Sequence, residues 1–154
     1  MYLGTEFLSL DAKGRLSMPA RHRLAFTADE DKYVTITRHE DGCLLIFQRL
    51  AWEHFREHTI KPQPDPWLKR VWLGSAMEVK LDNTFRLLIS PELRAAATLN
   101  REVKLVGMDD HFELWDKAMH DAMEAKALEI ARARRSPQLA AMAAALPAAP
   151  AAPV

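Results

Sequence analysis

The chain has 154 residues, of which 49% are apolar, and its 21 basic and 21 acidic residues give zero net charge. This length predicts one domain, or two small halves that share a core. The composition excludes a disulfide scaffold, since Cys43 is the single cysteine, and no apolar run approaches the ~20 residues that span a bilayer. The sequence shows no signal peptide, so we expect a cytoplasmic protein.

Residues 1–60 predict two β-hairpins, each followed by a short helix. Alternating or β-branched residues predict the strands, which cover residues 6–10, 15–18, 33–37 and 43–47. The turn signals between them are Lys13-Gly14 and Asp41-Gly42. Pro19 suits the first turn of a short helix, and helical spacing returns over residues 50–58. We therefore treat residues 1–60 as one half of the fold.

Residues 61–72 predict a linker and a short helix, because Pro62 and Pro64 interrupt the chain before Asp65-Pro66 caps a helix to Trp72. The second half, residues 73–116, then repeats the order of the first. Its predicted strands cover residues 77–81, 86–89, 102–107 and 112–115. Ser90-Pro91 starts its short helix.

The C-terminal region predicts one helix and a tail. Apolar residues at helical spacing indicate a helix over residues 117–135. Pro137 is expected to break it, with a further helix possible over 138–146. Residues 136–154 are rich in alanine and proline, and we expect the end of this tail to be disordered.

A weak internal repeat relates the two halves. The segment Leu10–Arg23 matches Leu81–Arg94, 71 positions later, in its aspartate, its central arginine, the following leucine and its last arginine. Neither half has enough strands to close a sheet alone. We therefore expect two pseudo-symmetric halves over a common core, and a duplicated module that suggests repeated binding more than one catalytic cleft.

The local charge is uneven although the net charge is zero. Between Asp11 and Arg23 four Lys or Arg residues and one histidine face a single acid, and an acidic cluster follows at residues 29–31. A locally basic edge on a neutral body fits a nucleic-acid binder that needs several copies for affinity. A solvated basic turn without a partner explains the same run.

Almost the whole chain, to about Ile130, resembles the MraZ family of transcriptional regulators, which are built from two AbrB-like halves. The resemblance rests on the order and spacing of short motifs: Leu3-Gly4-Thr5, Leu10-Asp11-Ala12-Lys13-Gly14-Arg15-Leu16, Asp41-Gly42-Cys43-Leu44, Gly74-Ser75-Ala76, Asp82 with Arg86, Pro91-Glu92-Leu93-Arg94, Val106-Gly107 and Glu113-Leu114-Trp115-Asp116.

This resemblance implies a mainly β fold with short helices (α+β), in which interlocked hairpins form a β-barrel. It also implies ring-like homo-oligomers, and binding to short direct repeats in the promoter of a division and cell-wall gene cluster. The partner would be double-stranded promoter DNA, at the nucleoid, with no membrane partner.

The family's DNA-facing motif, Asp-x-x-x-Arg, falls here on Asp11 with Arg15 and on Asp82 with Arg86. Lys13 and Gly14 complete the first element, and an arginine there can hold a phosphate or read guanine. Arg21 and Arg23 are candidate phosphate contacts, and Asp82 is expected to support Arg86. Phe85 stands where the family usually has glycine. If that position needs a positive φ, Phe85 would be strained, so we expect the second loop to adopt another turn.

Other interpretations stay open. The Asp11–Arg15 pair can be a surface ion pair that only stabilises its turn, worth about 0–1 kcal/mol. The chain can also be an AbrB-like interaction or antitoxin-type scaffold with little specific DNA binding.

Nothing in the sequence supports an enzyme, since it has no phosphate loop or nucleophile elbow, and we assign no catalytic residue and no cofactor. His54 and His58 lack the glutamate of the zinc-protease motif, so no metal site is expected. Cys43 lies in an apolar run and is expected to be a buried, inert thiol.

Overall fold

A computed structural model describes residues 1–146 of the chain. Met1–Met119 forms one compact unit, and His120 begins a second unit. Eight strands and four α-helices make up the described chain: β1 (Thr5–Ser9), β2 (Arg15–Ser17), β3 (Tyr33–Arg38), β4 (Leu44–Gln48), α1 (Arg49–Phe55), α2 (Pro66–Gly74), β5 (Met77–Lys80), β6 (Arg86–Leu88), α3 (Pro91–Ala96), β7 (Glu102–Gly107), β8 (Phe112–Asp116) and α4 (Lys117–Ala145). Two 3₁₀ helices, Ala20–Phe26 and Asp29–Lys32, precede β3, and a π-helical turn, Arg56–Ile60, follows α1.

Six strands form one sheet in the order β1-β7-β8-β4-β3-β5, and every neighbouring pair is antiparallel. This order is symmetric. The strands β1, β3 and β4 of the first half correspond to β5, β7 and β8 of the second, and exchanging the members of each pair gives the same order read from the other edge. β1 of the first half pairs with β7 of the second, and β5 of the second half pairs with β3 of the first. The two halves are therefore interlocked.

The strands β2 and β6 pair only with each other, as a separate two-stranded ribbon. The predicted hairpins over residues 5–18 and 77–89 are therefore wrong, because β1 and β5 leave the strands that follow them and join the main sheet instead. Alternation of side chains identifies a strand and its buried face, but it does not identify the partner strand. The predicted hairpins β3–β4 and β7–β8 are confirmed.

The predicted closed barrel is also wrong. β1 and β5 are the two edges of the six-stranded sheet and do not pair with each other. The strands β2 and β6, which would have extended those edges, have paired with each other in the ribbon. The architecture is an open sheet covered on one face by the ribbon.

One large core lies between the sheet and the ribbon. Leu16 and Leu87 of the ribbon are fully buried there against sheet residues such as Ile36, Leu44 and Leu105. The opposite face of the sheet carries a second cluster with Phe47 and Trp115, which is covered by Trp52 and Phe55 of α1. Cys43 belongs to this second cluster, and burial raises the pKa of its thiol far above its ordinary value. The expected burial of this thiol is confirmed.

The predicted helix starts are confirmed at two caps. The Asp65 carboxylate accepts the backbone N–H of Trp67 at 2.8 Å before α2. The Ser90 hydroxyl accepts the N–H of Leu93 at 3.2 Å before α3. In both helices a proline occupies the first turn, where its missing N–H has no partner to lose. Local sequence alone is therefore enough to begin these helices.

The predicted break at Pro137 is wrong, because α4 continues through this proline to Ala145. A proline in a helix interior costs about 3 kcal/mol, but residues 139–145 consist mainly of alanine, which has the highest helix propensity. The disorder predicted for the end of the tail concerns residues that lie outside the described range. Over residues 1–146, no helix combines the length and hydrophobicity that crossing a membrane requires.

Candidate nucleic-acid interface

The first Asp-x-x-x-Arg element folds into a tight turn organised by its aspartate. One carboxylate oxygen of Asp11 accepts the backbone N–H groups of Lys13 at 3.0 Å and of Arg15 at 2.8 Å. The other oxygen accepts Nε of Arg15 at 2.6 Å. An aspartate that accepts the N–H two residues ahead is a common turn former. The backbone N–H of Arg15, followed by its side chain, lowers the pKa of Asp11.

The second element builds the same turn. Asp82 accepts the backbone N–H groups of Thr84 and Arg86, both at 2.9 Å, and Nε of Arg86 at 2.8 Å. The Thr84 hydroxyl adds a further bond to the same carboxylate. The backbone N–H of Arg86 is the main reason why the pKa of Asp82 lies well below its ordinary value, and the Thr84 hydroxyl contributes next.

Phe85 takes the position of Gly14 without changing this turn. Its φ is 59°, and that of Gly14 is 82°. The expectation that the second loop adopts another turn is therefore wrong. A left-handed conformation costs a non-glycine residue about 1–2 kcal/mol, and partial packing of the Phe85 ring against the large core helps to offset this cost.

The β2–β6 ribbon places the two turns at its opposite ends. Arg15 lies opposite Leu88, and Ser17 lies opposite Arg86. Because Leu16 and Leu87 point into the core and successive side chains alternate, the outer face of the ribbon carries Arg15, Ser17, Arg86 and Leu88. The Arg15 and Arg86 side chains are 26% and 36% exposed. The ribbon thus presents two held guanidinium groups on one outward face.

Arg23 and Arg94, which occupy matching positions in the repeat, each contact the turn of the other half. Nε of Arg23 donates to the carbonyl oxygen of Met18, and Nε of Arg94 donates to that of Ile89, both at 3.0 Å. The Arg23 guanidinium lies 5.4 Å from the centre of the Phe85 ring. The Arg94 guanidinium lies on Gly14. Each arginine therefore supports the turn that belongs to the other half.

Arg94 is a residue that the predicted site lacked. The sequence did contain a signal for Arg94, because the repeat aligns it with Arg23, which is a candidate phosphate contact. The role of Arg94 beside the first turn depends on the crossing of the halves, which the sequence does not display. No local pattern connects residue 94 to residue 14.

The structure places most of the predicted site residues on or beside the ribbon. Asp11, Lys13, Gly14 and Arg15 form the first turn, and Asp82 and Arg86 belong to the second. Lys13 is exposed, and within residues 1–146 its ammonium has no ion-pair partner. Arg21 is separate from this group, because its Nε pairs with Glu6 of β1 at 2.5 Å. Within the same range, no cluster of three or more His, Cys, Asp or Glu residues is arranged to hold a metal ion.

The surroundings of the two turns differ in charge. The N–H of Leu10, at the base of the first turn, donates to the carbonyl of Arg101 at 2.8 Å. The matching N–H of Leu81 donates to the carbonyl of Lys32 at 2.9 Å. Lys32 ends a 3₁₀ helix that contains three acidic residues, Asp29, Glu30 and Asp31. The first turn is therefore flanked by arginine and the second by a predominantly acidic segment.

Comparison with known proteins gives a family match over most of the chain. A family model described as "MraZ protein, putative antitoxin-like" matches residues 1–63 and 72–139. The transcriptional regulator MraZ of Acidovorax sp. (strain JS42) is 53% identical over 84% of this chain and 92% of its own length. The proteins of the same name from Variovorax paradoxus (strain S110) and Ralstonia pickettii (strain 12J) are 52% and 51% identical. These alignments cover 84% and 83% of this chain, and 92% and 91% of the relatives.

Proposed function

This chain belongs to the MraZ family, and from that premise we propose that it is a DNA-binding transcriptional regulator, not an enzyme. Its ribbon, formed by β2 and β6, is the element that enters the DNA. The observation that carries this proposal is the pair of matched Asp–Arg turns at the two ends of one ribbon. The names of the relatives support the class of function.

A two-stranded ribbon is a suitable element for this proposed role. The major groove of B-DNA is wide enough to admit a two-stranded β-ribbon. Among the described residues, Asp11 and Asp82 engage Nε of their arginines, so the terminal guanidinium nitrogens keep donors for a ligand. A guanidinium with two such donors reads O6 and N7 of guanine. Each aspartate thus orients an arginine for base contacts, while Lys13 neutralises a phosphate.

One ribbon makes few contacts, so useful affinity requires several protomers on one DNA. We therefore propose a ring-like homo-oligomer that binds short direct repeats about 10 base pairs apart. Exposed large apolar side chains away from the ribbon, such as Phe7, Leu50 and Trp67, are suitable for contacts between protomers. The proposed operator lies in the promoter of a division and cell-wall gene cluster, which would place the protein in the cytoplasm at the nucleoid.

A second candidate is an interaction scaffold of the antitoxin type, which the wording "antitoxin-like" in the family description favours. In that case the chain would copurify with a stoichiometric small protein and would show no salt-sensitive binding to promoter DNA. Affinity purification at low salt after nuclease treatment shows whether a small protein copurifies in stoichiometric amount. Binding to promoter DNA measured across a salt series then distinguishes the two functions.

The proposal is tested by footprinting on the DNA upstream of the chain's own gene, with wild-type protein and an Arg15→Ala variant. Wild-type protein is expected to protect short repeated sites, and Arg15→Ala is expected to lose that protection while keeping its oligomeric state. Arg56→Ala is the matched control, because Arg56 follows α1 on the segment that covers the opposite face of the sheet. Equal protection by wild-type protein and Arg15→Ala would refute the assignment of the first turn.

A further inference from the structure

A cleft opens directly beside the first turn. Its volume is about 440 Å³, and its walls include Leu10, Asp11, Gly14, Leu99 and two arginines, Arg94 and Arg101. The Asp11 carboxylate in this wall is occupied, because its oxygens already accept three N–H groups of residues 13 and 15. The other charged residues of the lining, Arg94 and Arg101, are cationic. This arrangement fits an anion.

Gly14 allows one of these arginines to reach the cleft. A Cβ built on Gly14 would lie 2.6 Å from both Cζ and Nε of Arg94, closer than nonbonded atoms approach. The Arg94 guanidinium therefore rests directly on the backbone of the turn, with Nε held by the Ile89 carbonyl. Its two terminal nitrogens are not part of that bond and keep their donors at the cleft.

Arg101, the residue before β7, also lines the cleft, and hydrogen bonds hold its backbone in place. Its carbonyl accepts the N–H of Leu10, and the preceding residue, Asn100, donates both its backbone N–H and its side-chain amide to Asp116. The Arg101 side chain is exposed, and within residues 1–146 it has no ion-pair partner. Its guanidinium can therefore bind an anion, and arginine binds phosphate through charge-assisted, often bidentate hydrogen bonds.

The second turn lacks this feature. The Phe85 ring takes the place of bare backbone, so Arg23 lies on the ring instead of the turn. The position that corresponds to Arg101 is Lys32, at the end of an acidic 3₁₀ helix whose Asp29 pairs with Lys80 at 2.9 Å. The pseudo-symmetry of the halves therefore holds for the turns but fails for the anion cleft.

We propose that this cleft is a phosphate subsite, in which Arg94 and Arg101 hold one backbone phosphate of the DNA that the first turn contacts. The inference rests on the proposed function, since the phosphate belongs to the same duplex. It makes the two ends of the ribbon different: the Gly14 end binds the sugar-phosphate backbone, and the Phe85 end does not. Each protomer then has a defined direction on the DNA, as direct repeats require.

Phosphate neutralisation tests this proposal. Duplexes from the region upstream of the chain's own gene are prepared with single neutral methylphosphonate linkages at successive positions, and binding is measured with wild-type, Arg101→Ala and Arg15→Ala proteins. Wild-type protein is expected to lose affinity at a set of linkages. Arg101→Ala is expected to be clearly less sensitive at one linkage per repeat, because one of the two arginines that hold that phosphate is gone.

The salt dependence gives a second readout. Arg101→Ala should reduce the slope of log K against log salt by about 0.9 for each bound protomer, and equally on operator and on random duplex of the same length. An Arg94→Lys variant keeps the charge but loses the planar fork, and its sensitivity at the same linkage should be reduced. Arg56→Ala should leave every value unchanged.

The outcomes separate the two proposals. If Arg15→Ala binds the upstream duplex as well as wild-type protein does, the proposed function of the first turn is wrong. If Arg15→Ala fails to bind while Arg101→Ala keeps the wild-type set of sensitive linkages, the function stands and the phosphate subsite is refuted. Reduced sensitivity at the same single linkage in Arg101→Ala and in Arg94→Lys supports the subsite.

Discussion

The two turns at the ends of the ribbon have the same hydrogen bonds and different surroundings. Asp11 and Asp82 each hold a turn and an arginine with nearly identical distances. Beyond that shared network, the first turn has Lys13, a glycine and an arginine-lined cleft, and the second has Thr84, a phenylalanine and an acidic neighbour. A duplicated element can therefore keep its geometry while its two copies differ in the groups that they offer to a ligand.

The largest expected effect distinguishes the two arginines. Arg15→Ala should cost about 1–3 kcal/mol of binding free energy per bound protomer, since it removes a bidentate donor. Arg86→Ala should cost less, because its turn has Thr84 and Phe85 where the first turn has Lys13 and Gly14, so fewer cationic groups bind phosphate there. Fluorescence anisotropy with the upstream duplex measures both, and size-exclusion chromatography checks the oligomer. Equal losses of binding free energy in the two variants would contradict the proposed difference between the turns.

The next effect concerns the residue with positive φ in each turn. Gly14→Ala should destabilise the protein by about 1–2 kcal/mol, because alanine is strained at a φ of 82° and its Cβ collides with Arg94. Phe85→Gly should change the free energy of unfolding by less than about 1 kcal/mol, since relief of strain offsets the lost ring packing. Urea unfolding measures both. A Gly14→Ala variant as stable as wild-type protein would contradict the expected strain at this positive φ.

Exchange of one residue between the turns should transfer charge from one end of the ribbon to the other. Lys13→Thr should lower the slope of log K against log salt by about 0.9 per protomer, because one phosphate contact is lost. Thr84→Lys, which places lysine at the matching position, should restore less than this amount in the double variant. Complete restoration would contradict the unequal roles of the two turns.

The smallest effect is the acid sensitivity of the turns. The folded-state pKa of each aspartate is lowered, so its contribution to stability is present above the unfolded pKa of about 3.9 and is lost as the pH falls toward the folded value. Asp82→Asn should therefore flatten the decline in stability below about pH 4. Asp11→Asn should flatten it less, because the lowering is larger at Asp82. Thermal unfolding from pH 5 downward measures this difference, and identical curves for the two variants would contradict it.

Parts of the fold that depend on neighbouring residues were predictable. The caps at Asp65 and Ser90, the hairpin β3–β4 and the position of the Asp11 turn all follow from residues a few positions apart. The strands themselves were also predictable, because alternation reports which face is buried. The helix that passes through Pro137 shows the limit of such rules, since a summed propensity outweighed one unfavourable residue.

The amino-acid sequence alone therefore determined the strands and the first turn with its arginine, because these depend on short-range hydrogen bonds and on side-chain alternation. Tertiary structure decided which strands pair, and so it decided that β2 meets β6 and that Arg94 lies on Gly14. Pairing between distant strands depends on how two halves bury one core together, and no local pattern encodes that choice. The cleft beside the first turn exists only because the halves cross.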